Sequence, residues 1–223
     1  MLRKELVAVC TIAAVVVAAA TAGAQEISVV RDVEIPMADG VTLSADIYSQ
    51  SPDGRFPTVL VRTPYDKGAF GWLGEALAGN GGYAVVVQDV RGQVSSEGDF
   101  QPFVDELADG TATLDWVVAQ PWCDGNVGMW GASYLAYCGL LLAGNGHPAL
   151  KTVVNISGWG DPEVMGSPGG TMHLMVALPW SLSGQISGET EQPDYDEIFP
   201  LVPVSRITEL AGIDSPIWPA YFE

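Results

Sequence analysis

Between residues 41 and 48 apolar and polar positions alternate, with Val41, Leu43, Ala45 and Ile47 set against Thr42, Ser44 and Asp46. A period of two predicts a strand with one covered face and one wet face. Residues 29–35 have strand composition too, and Ala38-Asp39-Gly40 between the two segments supplies the turn chemistry of a hairpin. Pro52-Asp53-Gly54 marks the next turn. Two later runs, 57–63 and 83–89, string apolar residues together without alternation, as strands buried on both faces of a parallel sheet do. The short runs 127–130 and 151–156 are of the same kind. Helices are predicted between them, over 70–78, 104–119 and 134–143. In the second, Leu107, Leu114, Val117 and Val118 lie near one face and Gly110 is a weak point. The third runs into Gly144-Asn145-Gly146, a helix stop. Strands alternating with helices, opened by a hairpin, predict an α/β fold whose mostly parallel sheet starts with antiparallel strands.

After residue 158 the pattern changes. Residues 160–170 are rich in Gly, Pro and Ser, 172–180 read as helix, 189–197 are acidic, and 201–210 suggest one more short helix. No further strand–helix unit is visible, and the segment reads as the beginning of an inserted helical cap. At the other end, Arg3 and Lys4 precede an apolar run over 6–20, broken only by Thr11, and Ala22-Gly23-Ala24 is a small-x-small cleavage site. This predicts a secretory signal peptide over 1–24. An uncleaved anchor is the rival reading, and the run is short for a membrane span. The expected organisation is therefore 1–24 leader, 25–160 α/β core and 161–223 start of the cap, in a secreted or periplasmic protein without stable membrane association after cleavage.

The net charge of −18 argues against nucleic acid as a partner. Cys10 falls in the leader, which leaves Cys123 and Cys138 in a compartment that permits disulfides. Spacing does not place them within bonding distance, so a bridge and two buried thiols both stay open. Neither the cysteines nor the histidines have zinc-site spacing, and no metal or cofactor is expected.

The chemistry concentrates in residues 125–138. A short buried strand runs into Gly131-Ala132-Ser133-Tyr134 and then into an apolar helix. That is the context of a nucleophile elbow, the sharp strand-to-helix turn that presents a reactive serine in α/β-hydrolases. Ser133 is the candidate nucleophile, and Gly131 is the small neighbour the crowded turn needs. Leu135 stands where a second small residue is usual. The first oxyanion donor would be the backbone N–H of Tyr134, the residue after the nucleophile. The second normally comes from a loop after an earlier strand. Tyr65 sits in such a loop, within RTPYDK at 62–67, where a phenol donating to an oxyanion and a plain packing role are alternatives. In the following motif, Asp89 and Arg91 are expected to pair and hold loops near the site.

Taken together, RTPYDK (62–67), QDVRGQVSSEGDF (88–100), the run 109–139 and HPALK (147–151) resemble the cocaine esterase and X-prolyl dipeptidyl-peptidase family of α/β-hydrolases, with α-amino-acid ester hydrolases and glutaryl cephalosporin acylases among its relatives. The likeness runs from about residue 29 to about 180. The family's elbow carries Tyr after the serine and usually Gly two residues beyond that Tyr, where this chain has Ala136. The resemblance implies Ser133 as nucleophile, with the Tyr65 hydroxyl and the Tyr134 amide as oxyanion hole. It also implies that Trp180 belongs to the cap that shapes the acyl pocket. It places the acid and the histidine on later strands, so His147 and His173 are not in the expected positions. Asp161 is a weaker candidate, as an acid or, with Glu163, as a contact for a substrate amine. The expected activity is cleavage of an ester or amide in a small molecule or short peptide, through an acyl-enzyme and without a cofactor. The 223-residue chain by itself is expected to turn over little, and a non-catalytic module is the rival reading.

Overall fold

A computed structural model describes residues 27–161, 163, 167–183, 193–213, 215 and 218. The predicted leader lies outside them. Six strands form one sheet: β1 (Ser28–Pro36), β2 (Thr42–Ser49), β3 (Phe56–Thr63), β4 (Ala84–Asp89), β5 (Cys123–Ala132) and β6 (Leu150–Ile156). Their order is β1-β2-β4-β3-β5-β6. The β1–β2 and β2–β4 pairs are antiparallel and the rest parallel. The predicted α/β fold with an opening hairpin is the one found.

The uninterrupted apolar runs take the centre. Every residue of β4 is buried, and β3 beside it is nearly so. Helix α1 (Gly71–Gly81) returns the chain from β3 to β4, α2 (Glu106–Val118) from β4 to β5, and α3 (Tyr134–Asn145) from β5 to β6. After β3 the chain goes first to β4 on one side, then crosses to β5 on the other. The carboxyl ends of β3 and β5 therefore flank a topological switch point, the place where open α/β sheets bind ligands. Thr63 ends one of these strands and Ala132 ends the other.

Two expectations need correction. The polar set of β2 is covered rather than wet, with Asp46 at 2% and Ser44 at 6% exposure. A register shift in β1 between Val30 and Val33 brings Arg31 and the backbone of Asp32 onto the Asp46 carboxylate, at 2.8 and 3.1 Å. The Ser44 amide donates to Ser96 of the loop after β4, at 2.9 Å. Alternation marks which side chains share a face, but a polar face is also buried when it finds partners. In α2, Leu107 is exposed, and the buried stripe is Glu106, Asp109, Gly110, Thr113, Leu114 and Val117. The period is helical, but half of the stripe is polar. Gly110 is a contact point: a side chain there would meet Leu142 of α3 and Arg62 of β3.

Beyond the sheet, α4 (Leu174–Ser181), α5 (Tyr195–Ile198) and α6 (Ile207–Ala211) gather a second apolar cluster of Ala177, Leu178, Leu182, Ile198, Ile207 and Trp218. The segment predicted as one helix over 201–210 is a 3-10 turn, Val204–Arg206, followed by α6. Trp180 of α4 faces the other way and packs on the sheet's core. No described helix is long and apolar enough to cross a membrane.

Candidate active site

The turn from β5 into α3 has the strain of an elbow. Ser133 lies at φ 55°, ψ −121°, a region that non-glycine residues rarely occupy and that persists only where surroundings impose it. Here they do. The Ser133 amide donates to the carbonyl of Ile156 at the end of β6, at 2.9 Å, and its own carbonyl accepts from Ala136 and Tyr137. A Cβ at position 131 would overlap the backbone of Leu135 and Ala136, so only glycine fits there. The Ser133 side chain does not cap the helix, and the residue is exposed. Ala136, the departure from the family pattern, is accommodated by Gly158, because a Cβ at 158 would run into the Ala136 methyl.

Tyr65 follows β3 across the switch point. Its loop is tied down at both ends. The Tyr65 amide donates to Thr63 Oγ1 at 3.0 Å, and the Lys67 amide to Asp89 Oδ1 at 2.6 Å. The Lys67 ammonium, 5% exposed, reaches Asp32 at 2.9 Å and Asp89 at 3.4 Å. Burial draws its pKa down, but Asp32, Asp89 and Asp46 outweigh that and leave it above the ordinary value. Asp89 therefore pairs with Lys67 and not with Arg91. Arg91 is taken by Asp109, through bonds of 3.0 and 2.6 Å, and by Asp39 at 2.8 Å. The expected Asp89–Arg91 pair is corrected: both residues brace loops, each with another partner.

Under the elbow lies a polar network that sequence reasoning missed. The Tyr134 hydroxyl donates to Glu106 Oε1 at 2.7 Å and accepts from the Phe103 amide at 3.1 Å. Glu106 Oε2 takes Arg62 Nη1 at 2.6 Å and the Cys138 thiol at 3.4 Å. Arg62 is fully buried and also donates to Gln88 at 2.9 Å. Removing one partner of such a buried pair costs about 3–5 kcal/mol. Burial, and then the charge of Glu106, push the Tyr134 phenol and the Cys138 thiol well above their ordinary values, so both stay protonated donors. The signal was present in the sequence: an arginine inside an apolar strand needs an acid, and Glu106 opens the helix with Asp109 one turn further on.

Aromatic rings complete the site. Phe103, at φ 71°, stacks on Tyr134 at 4.8 Å and on Trp180 at 5.8 Å, and meets Tyr137 edge-on at 5.2 Å. Trp180 stacks on Tyr134 at 6.1 Å, and Tyr65 meets Tyr134 edge-on at 6.5 Å. The Trp180 indole N–H donates to the Tyr65 hydroxyl at 2.9 Å. Ser133, Tyr134, Tyr65 and Trp180 are thus brought together.

The remaining candidates are more dispersed. Asp161 is exposed and accepts from the Glu163 amide at 2.9 Å. Its charge, after burial, Cys138 and Glu106, contributes to raising the Tyr137 phenol, which puts it within electrostatic reach of that ring. His147 bonds Asp115 at 3.1 Å beyond the far end of the 12-residue α3, roughly 18 Å along the helix from Ser133. His173 is exposed at the N-cap of α4. Cys123 and Cys138 are buried free thiols.

A strained serine at the end of a parallel strand, at the switch point of a mostly parallel sheet packed with helices, belongs to the α/β-hydrolase fold. The chain is a member of the X-Pro dipeptidyl-peptidase (S15) family, whose model matches residues 39–199. It is 42% identical over 161 residues to cocaine esterase of Rhodococcus sp. (strain MB1 Bresler), covering 69% of this chain and 28% of that one. Among solved structures it is similar to a selenomethionine-labelled α-amino acid ester hydrolase, with TM-score 0.67 and 29% identity over 86% of this chain and 36% of that one. It is also similar to an aminopeptidase from a marine sediment archaeon, Thaumarchaeota, with TM-score 0.63 and 26% identity over 87% and 37% of the two chains. The chain thus spans under a third of the curated relative's length.

Proposed function

We propose that this chain carries the nucleophile and oxyanion hole of a secreted or periplasmic serine hydrolase that cleaves an ester or amide through an acyl-enzyme. The observation that supports it most is Ser133 itself. It is exposed, held at positive φ by Ile156 and α3, and packed so tightly behind that residue 131 must be glycine.

In this reading Ser133 Oγ adds to the substrate carbonyl and gives up its proton to a base. The negative oxygen of the tetrahedral intermediate sits between the Tyr134 amide and the Tyr65 hydroxyl. Burial raises the Tyr65 phenol above its ordinary value, so at neutral pH it keeps the proton it must donate. Collapse expels the alcohol or amine and leaves an acyl-Ser133 ester, which water hydrolyses. Phe103, Tyr134 and Trp180 offer apolar rings to the acyl group. The exposed carboxylates Asp161 and Glu163 offer contacts to a substrate amine. These features are compatible with the ester named for the cocaine esterase relative, with the α-amino acid ester named for the hydrolase and with the peptide cleavage named for the aminopeptidase.

A non-catalytic role has one observation in its favour. Neither histidine is placed as the base: His147 is bonded to Asp115, and His173 is exposed at the start of α4 without a side-chain cap bond. The 223-residue chain is therefore expected to turn over p-nitrophenyl esters weakly. A fluorophosphonate probe read by intact mass is expected to label Ser133 and nothing in Ser133→Ala. Labelling retained in Ser133→Ala would refute Ser133 as the nucleophile, and robust turnover by the chain alone, lost in Ser133→Ala, would refute the weak activity.

A further inference from the structure

Trp180 stands in an unusual relation to Tyr65. An indole N–H can only donate, so at 2.9 Å the Tyr65 oxygen must be the acceptor. A phenol has one proton. With its oxygen already engaged by Trp180, that proton is left to point elsewhere, and an accepting hydroxyl is polarised into a stronger donor. The Tyr65 ring meets edge-on the ring of Tyr134, whose amide follows Ser133. The indole is not free to turn. It is stacked on Phe103 at 22° and on Tyr134 at 14° between planes. Both rings belong to the floor of the elbow, and the Tyr134 hydroxyl is itself anchored on Glu106.

We propose that Trp180 is a positioning residue: its indole N–H fixes the Tyr65 hydroxyl as an oxyanion donor and makes the oxyanion hole depend on α4 being seated against the sheet. This rests on the reading of Ser133 as nucleophile. The direction of its effect on the phenol agrees, since burial raises the Tyr65 pKa and the Trp180 bond opposes that rise. A residue that only lines the acyl pocket would act on substrate binding; one that aims a donor acts on the acylation step. Through this bond, a substrate that unseats α4 would also lose the oxyanion donor, which ties turnover to correct filling of the space under the helix.

The test compares the chain with Trp180→Phe, Tyr65→Phe and the double variant. Phenylalanine keeps an aromatic ring for stacking and removes the N–H together with part of the indole, and the Tyr65→Phe background separates the lost bond from the lost ring area. Acylation of Ser133 by a p-nitrophenyl ester is followed by the release burst and by intact mass. Trp180→Phe is expected to slow acylation about tenfold with little change in KM, a fraction of what a lost oxyanion donor costs. In the Tyr65→Phe background the same substitution is expected to have no further effect, because the two act in series. A rise in KM alone, or an undiminished effect without Tyr65, would overturn the proposal. If the burst is too small to read because no histidine is placed as the base, the bond is tested without turnover. Tyr65 is then read directly by NMR, with ¹⁵N-indole and ¹³Cζ-tyrosine labels. The Trp180 indole proton is expected to move upfield in Tyr65→Phe, and the Tyr65 ¹³Cζ signal to move in Trp180→Phe. Signals that stay in place would show that the bond does not exist.

Discussion

Ala136 and Gly158 occupy one another's space. The helix that carries the nucleophile packs on the segment leaving β6, and only one methyl fits between them. In this chain the helix contributes the methyl and the facing position is glycine. The alanine of this elbow thus fills a contact that the facing glycine leaves open. Gly158→Ala is expected to destabilise the fold by about 1–3 kcal/mol, the usual cost of overfilling a packed contact. Adding Ala136→Gly should recover most of this, less about 1 kcal/mol for glycine inside a helix. Urea unfolding of the two single variants and the double variant measures the coupling. Additive effects would mean the two positions do not touch. The same residue-scale logic explains Glu106: Arg62 lies inside a strand where water cannot reach it, so the acid on α2 is drawn beneath the elbow and takes Tyr134 with it.

The Lys67 cluster joins elements that are far apart in the chain: the bulge of β1, the middle of β2, the end of β4 and the loop holding Tyr65. The pH dependence of this junction has two signs. Asp32 is held below its ordinary 3.8 by its hydrogen bond to Lys67 and then by the Lys67 charge. Its stabilisation is present above 3.8 and is lost as pH falls through the lower folded value. Asp89 is raised by burial, with Lys67 opposing, so its ionised form is a cost that acid relieves before Asp32 protonates. The stability difference between the chain and Asp32→Asn is therefore expected to hold from pH 7 to about 4 and to shrink below 3.8. A difference that grows in acid would contradict this. The cluster also marks the limit of what was legible in the sequence. The hairpin, the buried strands and the Gly146 stop of α3 show in apolar spacing and glycine placement, and so does the elbow. The buried faces of β2 and α2 do not, because Asp46, Glu106 and Asp109 are polar and their ion-pair partners lie 15, 44 and 18 residues away. Trp180 meets Tyr65 across 115 residues, which no local pattern encodes.

At the scale of the molecule, the sheet has two unlike edges. On the β1 side the edge strand carries a bulge and the charged residues Arg31, Asp32 and Glu34, devices that discourage edge-to-edge pairing. On the other side, among the described residues, β6 pairs with β5 alone. Val154 and Ile156 are each 46% exposed. Beside them an open apolar cavity of about 280 Å³ is lined by Val59, Leu77, Tyr83, Met129, Trp130 and Val154. A strand with free backbone groups and an apolar face beside it is a template for another strand. The chain of 223 residues is therefore expected to self-associate through β6 despite its charge of −18. Sedimentation velocity over a range of concentrations is expected to show species larger than a monomer. Val154→Lys places a charge on that face without touching the Ile156 carbonyl that holds Ser133, and is expected to shift the distribution to monomer while leaving the thermal melt in place. A chain that stays monomeric throughout, or a Val154→Lys chain that associates as before, would show that this edge is not adhesive. The elbow depends on the same edge: the carbonyl that fixes the Ser133 backbone is the last of β6, so whatever covers or distorts β6 acts on the nucleophile through one hydrogen bond of 2.9 Å.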